Sequence, residues 1–300
     1  LLAVLPGTGG LTRLVDKRKV RHDHADFLCT TSEGVRGGRS IDWKLVDELV
    51  PRSRFDEVVT ARALKFAAES DRPKEAVGLE LSPLSRKFES DRITYEHVTI
   101  DIDRSTATAH FMIQGPLEES PTTAESIGLA GVSFWPLALA RELDDAILHL
   151  RLNEYEIGTW SFRSKGSPAL VESADLALLE NAEHWLVREV TLFLKRTLKR
   201  LEVSSRSLIA LIEPGSCFVG SLFEIALAAD RSYMLDGVFE KEDARPAVIR
   251  LNPMNLGPLP MINGLTRLQG RFLSDTKRID DLADLIGSDI GAERAEELGL

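Results

Sequence analysis

From His97 onward, apolar and polar positions alternate. "HVTIDI" and "TATAHFMI" each carry the period of two of a half-buried strand, and "DRS" between them supplies turn chemistry, so the pair predicts a β-hairpin. Further along, the period lengthens. Arg141 to Leu150 reads as a helix, "YEIGTWSF" as a strand, and "SADLALLENAEHWLVREVTLFLKRTLKRL" as one long amphipathic helix opened by Ser173 as its cap, with Trp185 and Phe193 in the core. The apolar strand "SLIALI", the turn "EPGSCFVGS", the helix "LFEIALAAD" and the strand "RSYML" complete an alternation that predicts an α/β layer.

The first portion is patterned differently. Leu11 to Asp26 reads as helix after a glycine-rich turn. "EGVRGGRS" reads as a turn, a second helix closes on "LVDELVP" at Pro51, and Arg54 to Glu69 is helical with Phe55, Val58, Val59, Leu64 and Ala67 near one face. Asp71 to Ser90 holds Pro73 and Pro83 and shows little period. These patterns place a first domain over residues 1–74, a linker over 75–96 and a second domain over 97–300, with 116–136 an insertion or long loop.

The two portions share wording. Leu2–Leu14 and Leu256–Leu268 agree at eight of thirteen positions, most visibly "LPGTGGLTRL" against "LPMINGLTRL", and "RSIDWKLV" near Val46 is echoed by "RAEELGL" at the end of the chain. That is a repeat with a domain-sized period. The chain reads as opening inside one copy and stopping inside the next, a piece of a longer protein.

Composition narrows the classes. The 300 residues are 43% hydrophobic and 28% charged, as in globular proteins, and no apolar run reaches the ~18 residues of a membrane helix. Cys29 and Cys217 lack metal-ligand spacing and read as reduced thiols of a cytoplasmic protein. The net charge of −10 argues against nucleic acid, but residues 1–74 hold 14 Lys and Arg against 11 Asp and Glu, whereas the remainder holds 23 against 36. The first portion is therefore the better neighbour for an anion. Its basic run, Lys17, Arg18, Lys19 and Arg21 with His22 and His24, reads either as a contact for phosphates or as a solvated helix face.

The stretch with most chemical content is "ALIEPGSCFVGSLFEIALAADRSYML". A buried strand ends in a glycine-bearing turn where a helix starts, so free backbone N–H groups converge and can hold an oxyanion. Glu224, about one turn into that helix, can reach a proton beside the same carbonyl. The alternative is close strand–helix packing with Glu224 in solvent. "GSCFVG" also suggests a Cys217 nucleophile elbow, one residue too long, against a buried structural thiol.

Aligned on Glu224, the run Gly220, Ser221, Leu222, Phe223, Glu224, Ile225, Ala226 and then Asp230 resembles the Gly-Gly-Gly-x-Glu-Leu-Ala pattern of the crotonase (enoyl-CoA hydratase/isomerase) superfamily. "LPGTGGLTRL" and "WKLVDELVP" resemble further segments of that family. The resemblance implies an α/β, crotonase-like fold of repeated ββα units, the end of one copy followed by most of a second. It implies Glu224 as a catalytic carboxylate, and Gly220 and Ser221 as oxyanion and substrate-binding positions, with two of three glycines replaced. The family's second carboxylate falls upstream of Leu1 in the first copy and near Asn252 and Pro253 in the second, and neither of those residues is an acid or base. The tandem arrangement is similar to lyases that open an oxidised benzoyl-CoA ring, the 2,3-epoxide or dihydrodiol, by water addition and C–C cleavage to a semialdehyde CoA thioester and formate. A generic enoyl-CoA hydratase/isomerase, or a non-catalytic half that completes another copy's pocket, is the alternative. The resemblance further implies no metal and no cofactor, CoA being part of the acyl-CoA substrate, a homo-oligomer, and neither nucleic acid nor membrane as partner.

Overall fold

The computed structural model describes residues 9–71, 75, 77–238, 246–275 and 277–300. Most of the first copy of the repeated segment, including Leu2, Leu5 and Pro6, lies outside the described residues. The chain divides into two compact units, Leu1–Val77 and Gly78–Leu300.

The first unit is helical. A turn, α1 (Gly10–Thr12), passes into a π-helical turn at Arg13–Lys17, followed by α2 (His22–Thr30), α3 (Gly38–Asp42) and α4 (Phe55–Ala68). The helix expected over Leu11–Asp26 is thus two pieces. Lys19 takes a left-handed backbone, φ 56°, and the N–H of buried Val20 turns back to the Leu14 carbonyl at 3.0 Å. The helix expected to run into Pro51 stops at Asp42, because Lys44 is again left-handed, φ 59°. α4 buries none of its residues, and Phe55, Val59, Leu64 and Phe66 are all exposed.

The second unit is built on a seven-stranded sheet in sequential order: β1 (Lys87–Phe88), β2 (Arg92–Thr94), β3 (Val98–Asp103), β4 (Thr108–Gln114), β5 (Thr159–Lys165), β6 (Ser207–Ile212) and β7 (Arg231–Met234). β1 to β4 pair antiparallel and β4 to β7 parallel. The stretch 75–96 expected as linker therefore contains two strands of this sheet. β3 and β4 are the predicted hairpin: the Asp103 carboxylate accepts from the N–H groups of Ser105 and Thr106 and from the Ser105 hydroxyl, which closes the turn.

Helices fill the crossovers: α5 (Ala124–Ala130) and α6 (Trp135–Asn153) before β5, α7 (Pro168–Glu180) and α8 (Trp185–Glu202) before β6, and α9 (Gly220–Ala228) before β7. The run 116–136 is not one long loop, because Thr123 and Ser126 form a capping box that starts α5 and Pro136 opens α6 at its first turn. The single long helix is two. Ser173 lies inside α7 and caps nothing; Asn181 ends α7 by donating to the carbonyls of Ala177 and Thr122, both at 2.9 Å, and α8 restarts at Trp185. Trp185 itself is 46% exposed rather than in the core, while Phe193 packs against it.

One face of the sheet carries the core: Ile100, Phe111, Phe162 and Leu208 meet Leu143, Ile147, Val190 and Leu194 from α6 and α8. A second cluster, Ile212, Phe218, Phe223, Ile249, Leu251 and Leu268, gathers α9 and the later segments α10 (Arg267–Arg271), α11 (Lys277–Ala283) and α12 (Ala292–Leu298). The turn into α9 lies where the two clusters join. No described helix is long and apolar enough to cross a membrane.

Candidate functional site

β6 delivers the chain to Glu213, a turn through Gly215 reverses it, and Cys217, Phe218 and Val219 run fully buried into α9. The N–H groups of a helix's first turn have no partner within the helix. Here each has one. Gly220 donates to the Arg250 carbonyl at 3.1 Å, Ser221 to Asp175 Oδ2 at 2.8 Å, and Leu222 and Phe223 to the Val219 carbonyl at 3.0 and 3.3 Å. The donors expected to face a ligand oxygen thus face the protein's own acceptors.

Asp175 comes from α7, where it takes a core position between Val171 and Leu178. Its Oδ2 accepts from Ser221 and also from Asn252 Nδ2 at 2.7 Å, while its buried Oδ1 has no partner. Burial pushes this carboxyl up to about 6, opposed by the hydrogen bonds from Ser221 and Asn252. The packing demands a glycine at 220: φ is 47°, and a Cβ there would stand 2.0 Å from Asn252 Nδ2 and 2.1 Å from Asp175 Oδ2.

Glu224 is 1% exposed and does not face solvent. Its Oε1 accepts from Asn255 Nδ2 at 2.6 Å and its Oε2 from Arg267 Nη1 at 2.6 Å. Arg267, also buried, donates to the Leu259 carbonyl at 3.1 Å as well and pairs through Nη2 with Glu202 on α8. Burial pushes the Glu224 carboxyl upward, against the pull of Arg267 and Asn255. Arg267 belongs to the "GLTRL" shared by the two copies, so one function of that repeated segment in the second unit is to supply this counter-ion.

Asn252 and Pro253 start a 3₁₀ turn, Pro253–Leu256, capped by the Asn252 side chain accepting from the Met254 N–H at 2.9 Å. Asn255 ties that turn to α9 by donating also to the Gly220 carbonyl at 2.9 Å. Gly220, Ser221 and Glu224 therefore converge, and with Asp175, Asn252, Asn255 and Arg267 they form one closed hydrogen-bonded network. A cavity of about 590 Å³ adjoins it, lined by Gly166, Ser167, Gly215, Arg250 and Asp289, but none of Gly220, Ser221 or Glu224 reaches its wall.

Cys217 is fully buried, with its thiol pushed up to about 11 by burial, and its Sγ fills the space beside Gly115 and Gly166. A thiol so protonated and enclosed is not a nucleophile. Of the partners missed in sequence, Asp175 had a signal: a carboxylate on the face of "LVESADLALL" that holds Val171, Ala174 and Leu178.

Against known proteins, this chain is 48% identical over all 300 residues to benzoyl-CoA-dihydrodiol lyase of Aromatoleum evansii. The chain is a relative of that lyase. It spans 53% of the lyase's length. No family model matches the chain. Among solved structures, it is similar to enoyl-CoA hydratases of Geobacillus kaustophilus (19% identity, TM-score 0.41, 69% of this chain and 67% of that one) and Bacillus halodurans (19%, 0.42, 68% and 71%).

Proposed function

We propose that this chain forms part of a CoA-thioester lyase that opens the oxidised ring of benzoyl-CoA, as epoxide or dihydrodiol, by water addition and C–C cleavage to a semialdehyde CoA thioester and formate. Within that lyase the unit Gly78–Leu300 is the supporting half. The support for the reaction class is the similarity to the Aromatoleum lyase along the whole chain.

The observation that carries the supporting role is the 2.8 Å hydrogen bond from the Ser221 N–H to Asp175. A thioester enolate would need that same donor, and the Asp175 carboxyl group already occupies it as an internal acceptor. Glu224 meets the same obstacle. To take a substrate proton it would have to leave a buried pair with Arg267, and breaking such a pair by removing one member costs about 3–5 kcal/mol. The frame of strand, turn and helix is kept, and its polar groups are turned to holding the unit together.

The test is formate release from epoxidised benzoyl-CoA. A protein of the relative's full length releases formate at a rate that Glu224→Gln leaves unchanged, and the 300-residue chain alone releases none. Formate release that is lost in Glu224→Gln while circular dichroism shows the variant still folded would put the chemistry in the second unit and overturn the supporting role. Absence of release from the full-length protein would overturn the reaction class itself.

A further inference from the structure

The turn between β2 and β3 is held from across the second unit. Tyr95 donates its N–H to the Val98 carbonyl at 2.8 Å, which leaves Glu96 and His97 at the tip, and the His97 carbonyl accepts from the Gln114 N–H at the end of β4 at 2.8 Å. Glu142, on α6, reaches the same turn: its Oε2 accepts from the N–H groups of His97 and Val98 at 2.7 and 3.1 Å. One turn further along α6, Asp145 accepts from the Tyr95 hydroxyl at 2.8 Å. The turn is therefore fixed on α6 before any ligand arrives.

Glu142 is 5% exposed, and its second oxygen, Oε1, has no hydrogen-bond partner among the described residues. An oxygen of Glu142, an oxygen of Glu96 and a ring nitrogen of His97 lie within 4.8 Å of one another. Among the described residues no Lys or Arg pairs with either carboxylate: Arg86 is engaged by Asp145, Arg200 by Asp144, and Arg141 donates to the Ser82 carbonyl. Two carboxylates so close, one of them buried, require a cation or a proton between them. His97 points to the cation. Its ring is partly buried, which lowers its basicity, so at neutral pH it brings a lone pair to the cluster rather than a charge.

We propose that Glu96, His97 and Glu142 bind one divalent transition-metal ion of the zinc class, which clips the turn between β2 and β3 to α6. A mixed nitrogen and carboxylate set suits zinc, whereas magnesium and calcium take oxygen ligands. A tetrahedral shell sets its ligand atoms about 3.4 Å apart, and rotation of the exposed Glu96 side chain supplies the approach. The ligands come from two elements 45 residues apart, so the ion favours the folded chain. None of the three was singled out in the sequence, where the family resemblance implied no metal.

The 300-residue chain, stripped with a chelator, is titrated with zinc by calorimetry and with cobalt(II) by visible absorption. Saturable binding of one equivalent is expected, and zinc raises the melting temperature. Glu96→Gln and His97→Ala, both on the turn, keep the melting temperature of the metal-free protein and weaken binding by about tenfold or more. Glu142→Gln, which keeps an acceptor for the His97 and Val98 N–H groups, weakens it as much. Bound cobalt shows no thiolate charge-transfer band. Absence of stoichiometric binding, unchanged affinity in His97→Ala, or a thiolate band that places the ion at a cysteine overturns the proposal. Magnesium or calcium binding as tightly as zinc overturns the class of ion.

Discussion

Asp175 Oδ2 accepts the backbone N–H of Ser221 at 2.8 Å, so a carboxylate from α7 sits where the first turn of α9 would otherwise offer a donor to a ligand. The position normally open in a strand–turn–helix anion site is closed from within. The carboxylate is held by Asn252 as well, and one of its oxygens is buried without a partner. This is a polar network that supports architecture at an energetic cost, and its cost is measurable.

Asp175 makes stability fall as pH rises through the window from 3.8 to about 6. In that window the folded state keeps a proton that the unfolded chain releases, so the penalty is absent below it and fully present above it, at ~3 kcal/mol. Asp175→Asn flattens this part of the pH profile and leaves the protein at least as stable at neutral pH. Urea denaturation of both proteins across the window checks it; parallel profiles would remove the assignment.

Arg267 holds two carboxylates, Glu224 and Glu202. Arg267→Met leaves both without their cation and is expected to cost about 3–5 kcal/mol, whereas Arg267→Met with Glu224→Leu costs less than the sum of the single changes. A double-mutant cycle by chemical denaturation measures the coupling, and strict additivity would show the pair to be energetically idle.

Gly220→Ala places a methyl about 2 Å from both Asn252 and Asp175 on a left-handed backbone. A loss above ~3 kcal/mol is expected, among the largest for one added carbon. Gly257→Ala meets nothing within 4 Å and is the matched control. Similar melting temperatures for the two variants would mean that the network yields.

The two thiols differ in reactivity. Cys29 is half-buried and Cys217 fully buried with its thiol pushed up to about 11. One equivalent reacts with a thiol reagent at neutral pH in the folded protein and the second only on unfolding. Fast reaction at Cys217, located by mass spectrometry, would contradict the packing around it.

Local pattern was enough to place β3 and β4, to find β5, β6 and β7 in order with α9 between the last two, and to mark Glu224 one turn into α9. These follow from periodicity and turn chemistry, which act over a few residues, whereas Gly220 and Ser221 were named only through the resemblance to the crotonase pattern. The break between α7 and α8 was not legible, because Asn181 ends α7 through the Thr122 carbonyl, a partner 59 residues away. The strands β1 and β2 inside the expected linker were hidden for the same reason: three residues make a strand only when β3 lies beside them.

What the amino-acid order alone determined was the α/β alternation, the repeat that brings "GLTRL" back at Arg267, and the glycine at 220. What only the tertiary structure decided was the use of the α9 turn. Whether a backbone N–H faces a ligand or an internal acceptor depends on which side chain another helix sets against it. Here that side chain is Asp175, 46 residues before Ser221, placed by the packing of α7 on α9. Glu224 was visible as a carboxylate near a helix start, but its partner Arg267 lies 43 residues later, and only the folded chain joins them in a buried pair.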